Sequence, residues 1–213
     1  MIPESYLMHH GVEGQQWGIQ NGPPYPLTRE GKRALRAQRK ADERSLQIKG
    51  LEAERAKAAT GVIEDLNRRA EHKTKKSGNE ELKKRYAKAL ENAKADEKKA
   101  FNDFIDSAKE FSNKYNLDTD KVIKTGLTFT KIVNTPTQKY LKNKGGLLYT
   151  GDHDMLYRTT ERINELTSKN PSKEMAKNAA IGSLFGGISK AVRATSISSD
   201  YLNEKYNIGY QVK

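Results

Sequence analysis

Between residues 80 and 115, apolar side chains return at helical spacing. Leu82, Tyr86, Ala89, Leu90 and Ala93 come first, and Phe101, Phe104, Ile105, Ala108, Phe111 and Tyr115 continue the stripe. Recurrence at i, i+3, i+4 and i+7 predicts an amphipathic helix with one buried face. Residues 29–76 carry the same signature more thinly. Leu35, Leu46, Ile48, Leu51, Val62, Ile63 and Leu66 stand in a background of Ala, Lys, Arg and Glu. They predict a long helix that buries one narrow stripe and needs a partner for stability. Gly50 and Gly61 are candidate interruptions, because Gly costs about 1 kcal/mol in a helix interior relative to Ala. Ser77-Gly78-Asn79 is a turn signal, with Asn79 as an N-cap. The two helices therefore read as an antiparallel hairpin with its charges outward.

Beyond residue 115 the pattern shortens. Asn116 to Thr119 is a break, and Thr119 is the expected cap of a helix from Asp120 to about Val133. Pro136 ends that helix or opens another. Lys144-Gly145-Gly146 is a joint, Leu147-Leu148-Tyr149 a short strand or a buried plug, and Gly151-Asp152 a turn. Residues 154–168 suit a fourth helix, with Leu156, Tyr157, Ile163 and Leu166 apolar. Pro171 or Ser172 starts a fifth, running to about Thr195. The tail from Ser196 holds Tyr201, Leu202, Tyr206, Ile208 and Tyr210, and is too aromatic to be passive. Alternating β-branched runs are nearly absent. The predicted fold class is all-α: a long charged helical hairpin followed by shorter helices, preceded by a Gly/Pro-rich loop. The expected divisions are 1–27, 28–116 and 117–213.

Composition agrees with exposed helices and thin seams. Hydrophobic residues are 35% of the chain and charged residues 31%, where globular domains average roughly 45–50% apolar with Gly counted. There is no Cys, which excludes disulfides, Cys metal sites and thiol nucleophiles. The net charge is +12, so acidic partners are favoured. No apolar run reaches the roughly 20 residues of a membrane span, and no signal peptide is expected at the start.

The segment before the helices is different in kind. It holds the only Trp, Trp17, among closely spaced glycines, Gly11, Gly14, Gly18 and Gly22, and is followed by Pro23, Pro24 and Pro26. Such glycines suit a compact loop that visits positive φ. An indole in such a loop is expected to insert into a pocket, in this chain or in a partner.

Several constellations invite chemistry and are weighed against plainer roles. His9 and His10 with Glu4 or Glu13 could ligate a divalent ion, but adjacent His residues rarely reach one metal. Hydrogen bonding within the loop is preferred, and no metal or cofactor is expected. The Gly-rich spacing lacks the strand, the helix and the Gly-Lys-Ser/Thr of a phosphate loop. Asp152-His153-Asp154 resembles part of a catalytic triplet, but a helix N-cap is the preferred role for either Asp. Arg29, Lys32, Arg33, Arg36, Arg39 and Lys40, and then Lys83, Lys84, Arg85 and Lys88, form basic faces that could follow phosphates. Their plainer role is a solvated helix surface. The uncharged run Asn178–Ser189 contains Gly182-x-x-x-Gly186, which allows close helix packing. No constellation favours catalysis, so the chain is not expected to be an enzyme.

The segment Leu7-Met8-His9-His10-Gly11-Val12-Glu13-Gly14-Gln15-Gln16-Trp17-Gly18-Ile19-Gln20-Asn21-Gly22 resembles a motif common in tailed-phage and prophage proteins, many of them in or near head-morphogenesis and virion-structure modules. Leu27-Thr28-Arg29-Glu30-Gly31-Lys32-Arg33 matches the segment that often follows it. Gln20-Asn21 stand where many members carry a basic pair. The resemblance covers about residues 7–33. It implies a virion-associated structural protein of the head or connector region, docked through His9, His10, Gly11, Gly14, Trp17 and Gly18 onto other virion proteins. The implied setting is the virion, with the host cytoplasm during assembly and an oligomer within that assembly. Two alternatives stand beside it: a basic nucleic-acid-binding or packaging protein, and a virion-carried ejected or membrane-active effector.

Overall fold

The structure, a computed structural model, describes residues 29–77, 80–128, 151–184 and 186–209. The Trp17 loop, the Asn79 cap, the stretch from 129 to 150 with its proposed joint and plug, and Tyr210 lie outside the described residues. Within them the fold is all-α, with six helices and no strand: α1 Arg29–Ser77, α2 Glu80–Tyr115, α3 Thr119–Thr128, α4 Gly151–Thr167, α5 Pro171–Leu184 and α6 Gly186–Tyr206. The chain divides into two compact units, Met1–Glu43 and Arg44–Lys213.

In the second unit α1 and α2 form the expected antiparallel hairpin. Gly50 of α1 lies against Phe104 of α2, while Ala58, Ala59, Val62 and Ile63 share a core with Ala89 and Ala93 nearer the turn. α1 is unbroken through both Gly50 and Gly61. Each glycine is a place of close approach. A Cβ on Gly50 would sit 3.1 Å from the Gly126 carbonyl oxygen of α3, and a Cβ on Gly126 would sit 2.7 Å from Phe104 Cζ. Helices α1 and α3 thus approach closely over one phenyl ring. Gly126→Ala forces that ring to move, and overpacking of this kind costs typically 1–3 kcal/mol. We expect a lower urea midpoint with an unchanged circular dichroism spectrum.

α1 buries more than a narrow stripe. Leu46 and Ala53 pack with Phe104, Ala108 and Phe111, with Val122 and Ile123 of α3 alongside. Leu51 meets Ile163 and Leu166 of α4. The alanines widen the buried surface, because a methyl side chain lets a neighbouring helix approach closely. Two residues of the predicted stripes are instead exposed, Leu35 at 41% and Phe101 at 46%.

The region read as a tail is structured. α6 extends to Tyr206, and Leu202, Tyr206 and Ile208 are buried with Leu156 of α4 in the core that also holds Val62 and Ile63. Ser198, Leu202 and Tyr206 recur every four residues, and all three are buried. This i, i+4 stripe outweighs the poor helix propensity of the Ser and Asn residues around it. One helix was expected from Pro171 to about Thr195, where two occur. α5 begins as expected, with Pro171 following Asn170, whose side-chain oxygen accepts from the Lys173 backbone N–H at 3.2 Å. The cap of α3 is Asp118, not Thr119. Its Oδ1 accepts from the backbone N–H groups of Asp120 and Lys121 at 3.0 and 3.2 Å. α2 closes on Asn116 at φ 51°, with the Leu117 N–H donating to the Ser112 carbonyl at 2.9 Å. A residue with positive φ at this point is the common helix terminator, and Asn tolerates it.

Candidate functional site

The basic face of α1 is built by helical spacing alone. Arg29, Lys32 or Arg33, Arg36 and Lys40 fall one turn apart, and all six basic residues from Arg29 to Lys40 are exposed. Arg29, Lys32, Arg33 and Arg36 line one shallow cavity. Arg39 differs, since its Nε donates to Glu43 at 3.0 Å. The second basic run behaves more like an ordinary solvated surface. Arg85 pairs with Glu81 at 3.5 Å, and Lys83 is half-buried. The two runs lie in different units. Gly182 falls in α5 and Gly186 opens α6, so the two glycines belong to different helices.

The triplet Asp152-His153-Asp154 forms the first turn of α4, with His153 and Asp154 buried and Asp152 more exposed. Asp154 is buried and accepts from Arg158 Nε at 3.0 Å. Asp152 lies directly over Gly61, whose missing side chain leaves space for the carboxylate. Burial raises the Asp152 pKa. Lys57 opposes that rise, and Asp65 and Glu64 add to it. His153 is buried near Asp65 and Arg69. Burial pushes its imidazole down to about 4, with Asp65 opposing and Arg69 reinforcing. Asp65 is itself buried and held by Arg68 and by Arg69 at 2.7 Å. The N-cap role expected of Asp152 or Asp154 is not theirs: the helix already begins at Gly151, so both lie inside it, and Asp154 belongs to a buried polar cluster with His153 and Asp65 between α1 and α4. Asp65, Arg69 and Arg158 had no linear signal that marked them, because their partners come from elsewhere in the chain or look like ordinary i, i+4 pairs. Among the described residues, no group of three or more His, Cys, Asp or Glu is placed to hold a metal ion.

The cluster has a pH consequence. A His whose folded pKa lies below its unfolded value contributes stability that is complete above about pH 6.5. That stability is lost as the pH falls toward 4, because the unfolded chain takes up the proton first. The full shift corresponds to about 3 kcal/mol. Asp152, with its pKa raised, works in the opposite direction and offsets part of the loss. The parent chain should lose urea resistance between pH 6.5 and 4.5 more steeply than a His153→Gln variant. Equal slopes would show that His153 is not held neutral by burial.

An open cleft of about 380 Å³ lies along the hairpin, lined by Ala53, Glu54, Lys57, Lys94, Glu97, Lys98 and Phe101. Burial raises the Glu54 pKa, with Lys57 opposing and Glu97 contributing. Two carboxylates facing three lysines largely neutralise one another.

No family model, curated protein or solved structure matches the chain. No helix among the described residues is long and apolar enough to cross a membrane.

Proposed function

We propose that this chain is a phage virion-associated structural protein, carried into or onto the particle by its segment 7–22. The single observation behind the reading is the His9-His10-Gly11-x-x-Gly14-x-x-Trp17-Gly18 arrangement, set apart by Pro23, Pro24 and Pro26 from a charged helical body. An aromatic anchor among glycines suits docking, because buried aromatic residues dominate interface energy. The body supports a structural role rather than a catalytic one. Its buried charges are engaged in ion pairs within the fold, as Asp65 and Asp154 are. The test is mass spectrometry of purified particles of the phage or prophage that encodes the chain. Peptides of the body are expected in stoichiometric amount. Absence from particles, with the protein abundant in the lysate, would favour a nucleic-acid-packaging protein acting outside the virion.

A further inference from the structure

We propose that the face of α1 from Arg29 to Lys40 is a nucleic-acid backbone-binding surface. On a helix the neighbours of a residue are those at i±3 and i±4. For Arg36 these are Lys32, Arg33, Arg39 and Lys40, all basic. Like charges at that spacing destabilise a helix, so here the helix bears repulsion that an ordinary surface avoids. Several basic residues elsewhere in the chain show the ordinary solution. Lys49 pairs with Glu52, Arg69 with Asp65, Lys109 with Asp106 and Lys177 with Glu174, each acid three or four residues away. Arg29, Lys32, Arg33, Arg36 and Lys40 make no ion pair among the described residues. A bound polyanion would relieve this repulsion, which locally the Arg39–Glu43 pair relieves only in part.

The side chains select among polyanions. Four of the six cations are arginines, whose planar fork matches phosphate oxygens in pairs. Leu35 is the only large apolar residue from 29 to 45. A helix that adsorbs to lipid needs a broad apolar face to insert, and an acidic protein partner would be expected to meet buried aromatic or aliphatic anchors. This face offers neither. It offers repeated charge on a rigid rod, which suits a regularly charged backbone without sequence preference.

The proposal does not rest on docking by residues 7–22. Its test uses the full chain and a duplex DNA of arbitrary sequence, with binding followed by fluorescence anisotropy across a salt series. Each phosphate neutralised contributes about 0.9 to the slope of log affinity against log salt. The variant Arg29→Gln/Arg33→Gln/Arg36→Gln/Lys40→Gln should reduce that slope by about 3–4 and weaken binding at least tenfold near 0.1 M salt. Gln is a good helix former, and circular dichroism should show that the helix persists. The matched variant Lys83→Gln/Lys84→Gln/Arg85→Gln/Lys88→Gln removes the same charge from α2, and should leave both quantities nearly unchanged. An equal loss in the two variants would reduce the effect to net charge and overturn the proposal. So would failure of the parent chain to bind duplex, or capture by phosphatidylserine vesicles without capture by DNA.

Discussion

Phe104→Ala is expected to lower the unfolding free energy by about 3–5 kcal/mol, the range for removing a buried phenyl ring. Phe104 is fully buried and lies at the centre of the core that joins α1, α2 and α3. Gly50 and Gly126 both approach its ring, so its removal opens a void between three helices. The void can close only if α3 shifts toward the hairpin. Urea unfolding at pH 7 measures the loss. Phe104→Leu should cost less, because it keeps most of the buried carbon. A loss under about 1 kcal/mol for the Ala variant would mean that this end of the hairpin is not packed as described.

The second large effect is expected at the start of α4. Arg158→Met keeps the apolar stem and removes the charge, which leaves the Asp154 carboxylate buried without that cation. Breaking a buried pair on one side typically costs about 3–5 kcal/mol, because the remaining charge has lost its compensation. Asp154 is 3% exposed and its partner Nε lies at 3.0 Å, so solvent can do little to replace the cation. The double variant Asp154→Asn/Arg158→Met should lose less than Arg158→Met alone. That inversion is the signature of an uncompensated charge rather than of lost packing. If the double variant is the weaker of the two, the Arg158 stem matters through its contacts and the charge does not.

The helices themselves were legible because their apolar stripes are long. Spacing alone puts Ala89, Ala93, Phe104, Ala108 and Phe111 on one face of α2, and all are buried. The start of α5 was legible in the local chemistry of Pro171. Four features were hidden for physical reasons. Gly50 and Gly61 carry a propensity cost and so read as breaks, yet their value lies in tertiary approach, which a linear pattern does not contain. Ala56, Ala58 and Ala59 are almost wholly buried, yet Ala is as common on a charged helix surface as in a seam. The burial of Asp65, Asp154 and His153 depends on α1 and α4 coming together across a long stretch of chain, and nothing at either site announces the other. In α6, Ser and Asn masked a stripe that only Leu202 and Tyr206 make apolar. For the docking residues His9, His10, Gly11, Gly14, Trp17 and Gly18 the signal is motif and composition alone.

The central claim, that segment 7–22 joins the chain to a larger assembly, is tested most directly by the level of Trp17→Ala protein in purified particles relative to the parent. Truncating an aromatic anchor typically costs about 2 kcal/mol or more, roughly a thirtyfold loss of affinity. Incorporation should therefore fall sharply while circular dichroism and urea unfolding of the free protein stay unchanged. Incorporation of Trp17→Ala at the parent level would contradict the account, and the segment would not be a docking element.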